Sequence, residues 1–482
     1  MIEMRLAEVA AVTGGRLHRA TGDELVSVVG FDSRAAGPGG LFAALPGERV
    51  DGHDFAAAAV AGGAVAVLAG REVDAPAVVV PPADRTAGPG SLAARSYLAA
   101  ADRTGTGAAV LAALAALARA TIERLPGVAV VGVTGSSGKT STKDMLAAVL
   151  APLGPTVAPT GSFNNELGVP MTALRADAGT RHLVLEMSTR GPGHITALCA
   201  VVPPRIGVVL NAGSAHLGEF GSRAAIAAAK GELVEALPAG PGGVAVLNAD
   251  DPLVAAMVDR TDARVVTVGR AAGATVAARD VVLDAGRARF RLVTPTGAAE
   301  VALRLVGAHH VGNALAAAAV ALELGATPDG VAQALSAATP ASRWRMEVTD
   351  RADGVTVVND AYNANPESMQ AALEALVALA GTRRTWAVLG RMAELGDTEP
   401  AAHAGVAAAA TELGVHELIA VAAPDYGRRG RVRHVPDADA AVALLAAQLR
   451  PGDVVLVKAS RAAGLERVAA ALTAAAGTGA AR

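Results

Sequence analysis

Lysine is scarce in this chain. Of 42 Lys and Arg residues only four are lysine: Lys139, Lys143, Lys230 and Lys458. A sequence that otherwise writes arginine keeps lysine where a guanidinium cannot stand in for an amine, so these positions are candidates for chemistry. Lys143, near the start of a helical stretch, reads instead as an exposed residue kept by chance. Lys139 stands in Thr134-Gly135-Ser136-Ser137-Gly138-Lys139-Thr140-Ser141. Before it, 128–133 is apolar and β-branched, the mark of a buried strand. After it, Met145, Leu146, Val149 and Leu150 recur at helical spacing. A strand, a Gly/Ser loop and a helix N-terminus cradle phosphate. Loop amides point inward, the helix end adds partial positive charge, and the lysine reaches the outer phosphates. Thr140 is placed to hold a magnesium ion. The strict pattern wants Gly where Val133 stands, so the match is the shorter Gly135-x-x-Gly138-Lys139-Thr140. The competing reading is an ordinary strand-to-helix turn with a surface lysine; the flanking elements favour nucleotide binding.

The elements that must position these groups follow from the rest of the pattern. Apolar runs at 128–133, 182–186, 206–210 and 243–247 alternate with helical stretches. That argues for a mostly parallel sheet with helices on both faces and ligands at the strand C-termini. Glu186 and Ser188 close one strand, and Asn211 and His216 follow another. Lys230 sits on a helix over 224–237. The segment 161–170, with Asn164 and Asn165, is too polar for a core. A hairpin excursion covers 274–305, and Asn313 lies at the start of an alanine-rich helix, where a capping role competes with a binding one. Past Pro340 a second α/β alternation has strands at 354–358, 385–389, 416–421 and 453–457. Helices fall between them at 366–379, 401–413 and 437–448, with one more at 461–475.

The expected fold class is α/β in three units. These are an N-terminal α/β unit (1–118), a central mostly parallel P-loop unit (119–339) and a C-terminal doubly wound, Rossmann-like unit (340–482). In the first, a helix over 2–15 and a strand over 26–31 precede two polar loops. The loops hold Asp32-Ser33-Arg34 and Asp51-Gly52-His53-Asp54-Phe55. Residues 83–106 read as a flexible insertion, followed by a linker helix at 108–125.

Composition sets limits. With 482 residues, about three domains is the prior, and 52% hydrophobic residues exclude disorder. A net charge of −3 gives no sign of a nucleic-acid partner. The acidic start of the chain is not a signal peptide. The longest uncharged run, 55–70, is too short to span a bilayer. A single cysteine, Cys199, excludes a disulfide framework and suits the cytoplasm. Nothing fixes the oligomeric state, and a monomer is compatible with the size.

Several of these motifs together resemble the Mur ligases of peptidoglycan synthesis, over nearly the whole chain apart from 83–106. The phosphate loop matches, including its departure at Val133. So do the stretch from Asn164 to Pro170, the stretch from Asp360 to Pro366, and Met392-Ala393-Glu394-Leu395-Gly396. Two positions depart: His310 stands where the family usually has Asn, and Arg391 stands where many members carry an acid.

The resemblance implies an ATP-dependent amide ligase acting on UDP-N-acetylmuramoyl-tripeptide and D-Ala-D-Ala through an acyl phosphate. It implies that Lys139 binds the β- and γ-phosphates, Thr140 and Glu186 hold one Mg²⁺, and His216 and Lys230, as a carbamate, serve a second. Read alone, His216 fits a polar loop residue better than a metal ligand. Arg343 would face phosphate, Asp360 the ribose, and Asn211 and Asn313 the adenine. Ser33, Arg34, Asp51, Gly52 and His53 would bind the UDP-linked substrate, and Asn164, Asn165, Ser188 and Arg190 would also bind substrate. Tyr362, Asn363 and Asn365 would take the dipeptide, and Lys458 and Arg461 would clamp an anionic peptide. A folylpolyglutamate synthase is the alternative, and Asp32-Ser33-Arg34 in the N-terminal unit argues against it. A non-catalytic regulator would be expected to lose Glu186, Lys139 or Lys230.

Overall fold

The computed structural model describes residues 1–47, 49–82, 102, 104–214, 217–427 and 432–474. The expected insertion at 83–106 therefore falls almost wholly outside them, and so does His216.

Three larger sheets organise the chain. The first has five strands, in spatial order 16–18, 77–79, 64–69, 40–43 and 28–30. All neighbours are parallel except the Arg16–His18 edge. The expected opening helix is shorter, Leu6–Thr13, because Met4–Arg5 pairs with Leu25–Val26 as a two-stranded ribbon. Gly14 ends the helix at φ 64°, a left-handed cap that glycine adopts without strain. The helix Thr106–Glu123 has the length and apolarity of a membrane span. Here it packs against Leu6–Thr13, Gly168–Ala173 and His194–Val201, so its apolar stripe forms the seam between the first sheet and the next.

The second sheet has nine strands. Six at one side are parallel, in spatial order 263–269, 240–248, 206–209, 129–134, 182–186 and 156–157, and 276–284 pairs parallel with the first of them. The other three, Val276–Asp284, Arg287–Thr294 and Gly297–Val306, form the expected hairpin excursion. The parallel strands are apolar on both sides because both faces are covered. Val130, Leu183 and Leu185 enter a core with Thr106–Glu123 and Arg223–Glu235. Val131, Val133 and Val184 enter the opposite core, under Lys139–Leu150 and His310–Glu323. Burial of each such side chain stabilises by about 1.5–3 kcal/mol. A charged replacement at Val133 would break the strand that ends in the phosphate loop.

The third sheet runs 347–350, 356–359, 454–458, 385–389, 417–421 and 432–435, parallel except for the first strand. Two separate cores cover its faces. The edge strands Glu347–Asp350 and Val432–Val435 are half-exposed and carry no clean apolar run, which is why the sequence pattern misses them. The last helix starts later than expected, at Glu466, after a short 3-10 turn at Arg461–Ala463.

Candidate active site

The strand Ala129–Thr134 delivers its chain to the loop at Gly135. Gly138 has φ 82°, and a Cβ there would lie 2.6 Å from Asn313 Oδ1. Both the backbone conformation and the close approach therefore require glycine. The helix Lys139–Leu150 starts at the next residue, so its free amides face the loop. Asn211, expected to read adenine, lines the cleft and braces this loop: its Oδ1 accepts from Ser137 N (3.0 Å) and its Nδ2 donates to Ser137 O (3.2 Å). Asn313 lines the cleft beside Gly138, and its Nδ2 lies 3.4 Å from His310 Nδ1. Burial pushes His310 well below the usual histidine range, so it stands there as a neutral ring. Thr134 is buried beneath the loop.

Glu186 is the hub of the central side. It is 1% exposed at the end of its strand. Its Oε2 accepts from Thr140 Oγ1 at 3.0 Å and its Oε1 from Asn164 Nδ2 at 2.7 Å. Ser188 Oγ donates to Asn164 Oδ1 at 3.0 Å, which orients that amide. A carboxylate and a hydroxyl at the mouth of a phosphate loop are hard oxygen donors of the kind magnesium takes, in a sparse set that leaves room for phosphate and water. Lys139 folds back to donate to Gly135 O at 2.6 Å. Burial lowers its pKa, opposed by the charge of Glu186.

Lys230 is buried on the helix Arg223–Glu235, with no hydrogen bond to its amine among the described residues. Burial, helped by the charge of Lys139, pushes its pKa well below the usual lysine range. A neutral buried amine near the phosphate loop is the state that can add CO₂. Lys143 corrects an expectation. It is 3% exposed, donates to Pro159 O (3.0 Å) and Ser342 Oγ (3.1 Å), and pairs with Asp144. It ties the phosphate-loop helix to the junction before the third sheet, so it is not a surface residue retained by chance.

The third sheet presents its C-terminal edge to the same cleft, a space of about 350 Å³. Arg343 does not reach it: its side chain is exposed. Arg345 does. Its Nη2 donates to Thr140 Oγ1 and Ser162 Oγ, both at 3.2 Å, and its guanidinium lies 4.2 Å above the Tyr362 ring. The cause is backbone geometry. Trp344 and Met346 hold φ 60° and 50°, which breaks the side-to-side alternation of an extended chain and turns Arg345 to the loop. Asp360 lines the cleft, but its Oδ1 accepts from Met346 N (3.1 Å) and its Oδ2 from Lys458 Nζ (2.5 Å). It is a post for the junction that also faces the cleft. Lys458, expected to clamp an anionic peptide, is buried, and burial lowers its pKa against the pull of Asp360. Asn365 caps the helix Pro366–Ala380 by accepting from Ser368 N at 2.9 Å. Asn165 accepts from Gly168 N at 2.9 Å in the turn that leads into the short helix Gly168–Ala173. These two amides serve the backbone.

Among the further residues that line the cleft, Ser162, His309, Glu367 and Glu394 carry no role expected from the sequence. Glu394 belongs to a motif already singled out, and its φ of 66° is a conformation non-glycine residues rarely adopt. Glu367 accepts from Ser214 N and Ser214 Oγ, each at 2.7 Å, and so joins the third sheet's first helix to the central loop.

The N-terminal candidates lie apart from this cleft. Arg34 is exposed and grips Asp32, holding that carboxyl down to about 2. Asp51 accepts from His53 N (3.0 Å) and His53 Nδ1 (2.6 Å), and His53 Nε2 accepts from Gly70 N (3.0 Å). That network assigns the proton to Nδ1 and leaves His53 a buried loop staple. Gly52 passes so close to Leu45 that a Cβ would sit 2.6 Å from its carbonyl. Ser33 opens the short turn that carries Arg34. Phe31 meets Phe163 edge-on at 6.1 Å, which places this first unit beside the loop bearing Ser162 and Asn164.

A phosphate loop with an oxygen pair for metal, faced across a cleft by an arginine from another sheet, is the site of a nucleotide-dependent transferase or ligase. The chain belongs to the Mur ligase family. Residues 25–118 match its catalytic domain, 133–321 the Mur ligase middle domain and 344–461 the Mur ligase glutamate ligase domain. It is 53% identical to the UDP-N-acetylmuramoyl-tripeptide--D-alanyl-D-alanine ligase of Mycobacterium tuberculosis (strain ATCC 25618 / H37Rv), over 98% of each chain. Among solved structures it resembles MurF from Acinetobacter baumannii, with 30% identity, a TM-score of 0.84 and coverage of 98% of this chain and 99% of that one. It also resembles MurF ligase from Thermotoga maritima in complex with ADP, with 29% identity, a TM-score of 0.77 and coverage of 94% and 98%.

Proposed function

We propose that this enzyme is the ATP-dependent ligase that joins D-Ala-D-Ala to UDP-N-acetylmuramoyl-tripeptide. The carboxylate of the tripeptide attacks the γ-phosphorus of ATP, and ADP leaves. The dipeptide amine then attacks the resulting acyl phosphate, and phosphate leaves with the former acyl C–O bond electrons. The product is the UDP-linked pentapeptide precursor of peptidoglycan, made in the cytoplasm, where ATP and UDP-linked precursors reside.

The observation that carries this reading is the convergence in one cleft of Lys139, the Thr140–Glu186 pair and Arg345 from the opposite sheet. Phosphoryl transfer is mostly positioning and charge neutralisation, and these groups supply both. Lys139 and the loop amides hold the nucleotide's outer phosphates. Arg345 meets the phosphoryl group in transit from the other side. Asn164 keeps Glu186 oriented. Thr140 and Glu186 would hold Mg²⁺, and Lys230, as a carbamate, would hold a second ion with His216; the metals supply charge neutralisation on the phosphates. The C-terminal unit holds Arg345 at the loop, with Glu367 on Ser214 as one latch.

The whole-length relationship at 53% identity supports this substrate pair over a folylpolyglutamate ligase. The test is ADP release from purified enzyme with ATP, UDP-N-acetylmuramoyl-tripeptide and D-Ala-D-Ala. Turnover should need all three and fall sharply with D-Ala, L-Ala-L-Ala or D-Glu. Comparable turnover with D-Glu would move the protein elsewhere in the family.

A further inference from the structure

The cleft is lined by five cations: Lys139, Arg190, Arg345, Lys458 and Arg461. Their partners sort them. Lys139 and Arg345 are bonded to the phosphate loop and its hydroxyls. Lys458 is buried between Asp360 Oδ2 and Asn363 O. Arg190 stands on the central side, 3.4 Å from the buried Glu166. Arg461, also from the C-terminal unit, stands at the cleft wall with its side chain half exposed. Its guanidinium lies 4.3 Å over the Trp344 ring, and its Nη1 is 2.5 Å from Glu466 Oε1. A stack on one face and an acid at one edge fix the plane of the fork and leave its other donors available.

The incoming dipeptide must place its amine at the acyl phosphate and its carboxylate about 7 Å away, the extended length of two residues. The neutral loop after Asp360 offers that carboxylate little. Asn365 caps a helix, Asn363 Oδ1 accepts from Ala364 N at 2.9 Å, and Tyr362 lies under Arg345. A desolvated carboxylate in a cleft calls for a charge-assisted donor, and an arginine fork matches its geometry. Trp344, which carries Arg461, is the chain neighbour of Arg345, which touches Thr140. Moving along the strap from 345 to 344 thus leads from the phosphate to Arg461.

We infer that Arg461, oriented by Trp344 and Glu466, binds the C-terminal carboxylate of the incoming dipeptide and so selects acceptors with a free carboxylate two residues from the amine. This rests on the proposed D-Ala-D-Ala ligase reading.

The test pairs two acceptors, D-Ala-D-Ala and D-alanyl-D-alaninamide, with wild type, Arg461→Gln and Arg461→Lys. Wild type should use the amide at least tenfold less well, by kcat/KM. Arg461→Gln should lose a similar factor on D-Ala-D-Ala, mostly in its KM, and its acid-to-amide ratio should fall towards one. Arg461→Lys should keep part of the ratio, and the KM for ATP should stay within about twofold throughout. Equal use of both acceptors by wild type would overturn the inference without touching the ligase reading. So would an Arg461→Gln enzyme that keeps the wild-type ratio, which would move the carboxylate to another cation such as Arg190. Should Arg461→Gln fail to fold, the wild-type ratio and Arg461→Lys decide the matter. No turnover of D-Ala-D-Ala by wild type would instead sink the underlying reading.

Discussion

Replacing Arg345 with alanine removes the Nη2 donor that bonds both Thr140 Oγ1 and Ser162 Oγ, and the stack on Tyr362. The group it serves is a phosphoryl in transit, where charge develops between the two sheets. Loss of one preorganised donor aimed at developing charge costs about 2.7–4 kcal/mol, a factor of 10²–10³ in kcat. The cost in the folded state is smaller, because the partners are hydroxyls that water can satisfy once the side chain is gone. Arg343→Ala is the internal control. Its side chain is exposed, so the change should stay within about threefold, as surface substitutions do. Arg345→Lys should recover little, since lysine has no planar group to lie on Tyr362 while its end nitrogen bonds the two hydroxyls. The assay is steady-state ADP release for all three variants, with thermal melts to confirm folding. A crippled Arg343→Ala beside a near-normal Arg345→Ala would refute the argument from the left-handed backbone at Trp344 and Met346.

Lys230→Arg should be nearly inactive, and Lys230→Ala should regain part of its turnover with short-chain carboxylic acids; an active Lys230→Arg would remove the case for a carbamate. Because burial depresses the Lys230 pKa below its ordinary 10.5, folding releases its proton, and stability should rise with pH between the lowered value and 10.5. Denaturation midpoints in CO₂-free buffer should show that slope, reduced in Lys230→Met; an identical slope in both would place the effect on other groups. Lys143→Met leaves Asp144 buried without its cation and should destabilise by about 3–5 kcal/mol; a loss below about 1 kcal/mol in chemical denaturation would show that the junction does not depend on the pair. Glu367→Ala removes both bonds to Ser214 and should enlarge the radius of gyration of the free protein; unchanged solution scattering would mean that other contacts hold the units together.

Much of the architecture was legible because parallel strands covered on both faces are continuous apolar runs. The strands His182–Glu186 and Thr385–Leu389 fall on their expected residues. The phosphate loop and the Glu186 hub were legible because Gly/Ser spacing and a strand-end carboxylate are local signals. What stayed hidden depends on three-dimensional partners. Arg343 and Arg345 look alike in sequence, and only two left-handed residues decide which one turns inward. Asn211, Asn165 and Asn365 look like ligand-reading amides, yet each satisfies nearby backbone, a role that local patterning suggests only for Asn365 ahead of Pro366. Lys143 looked like a chance surface residue because its partners Pro159 and Ser342 are distant in sequence.

The central claim is that this cleft makes an acyl phosphate on the tripeptide carboxylate before the amine attacks. It is tested most directly by labelling that carboxylate with ¹⁸O and running a single turnover with ATP and D-Ala-D-Ala. Mass spectrometry of the released inorganic phosphate should find one ¹⁸O per phosphate, carried from the carboxylate when the acyl C–O bond breaks. Phosphate free of label, with amide formed, would contradict the account.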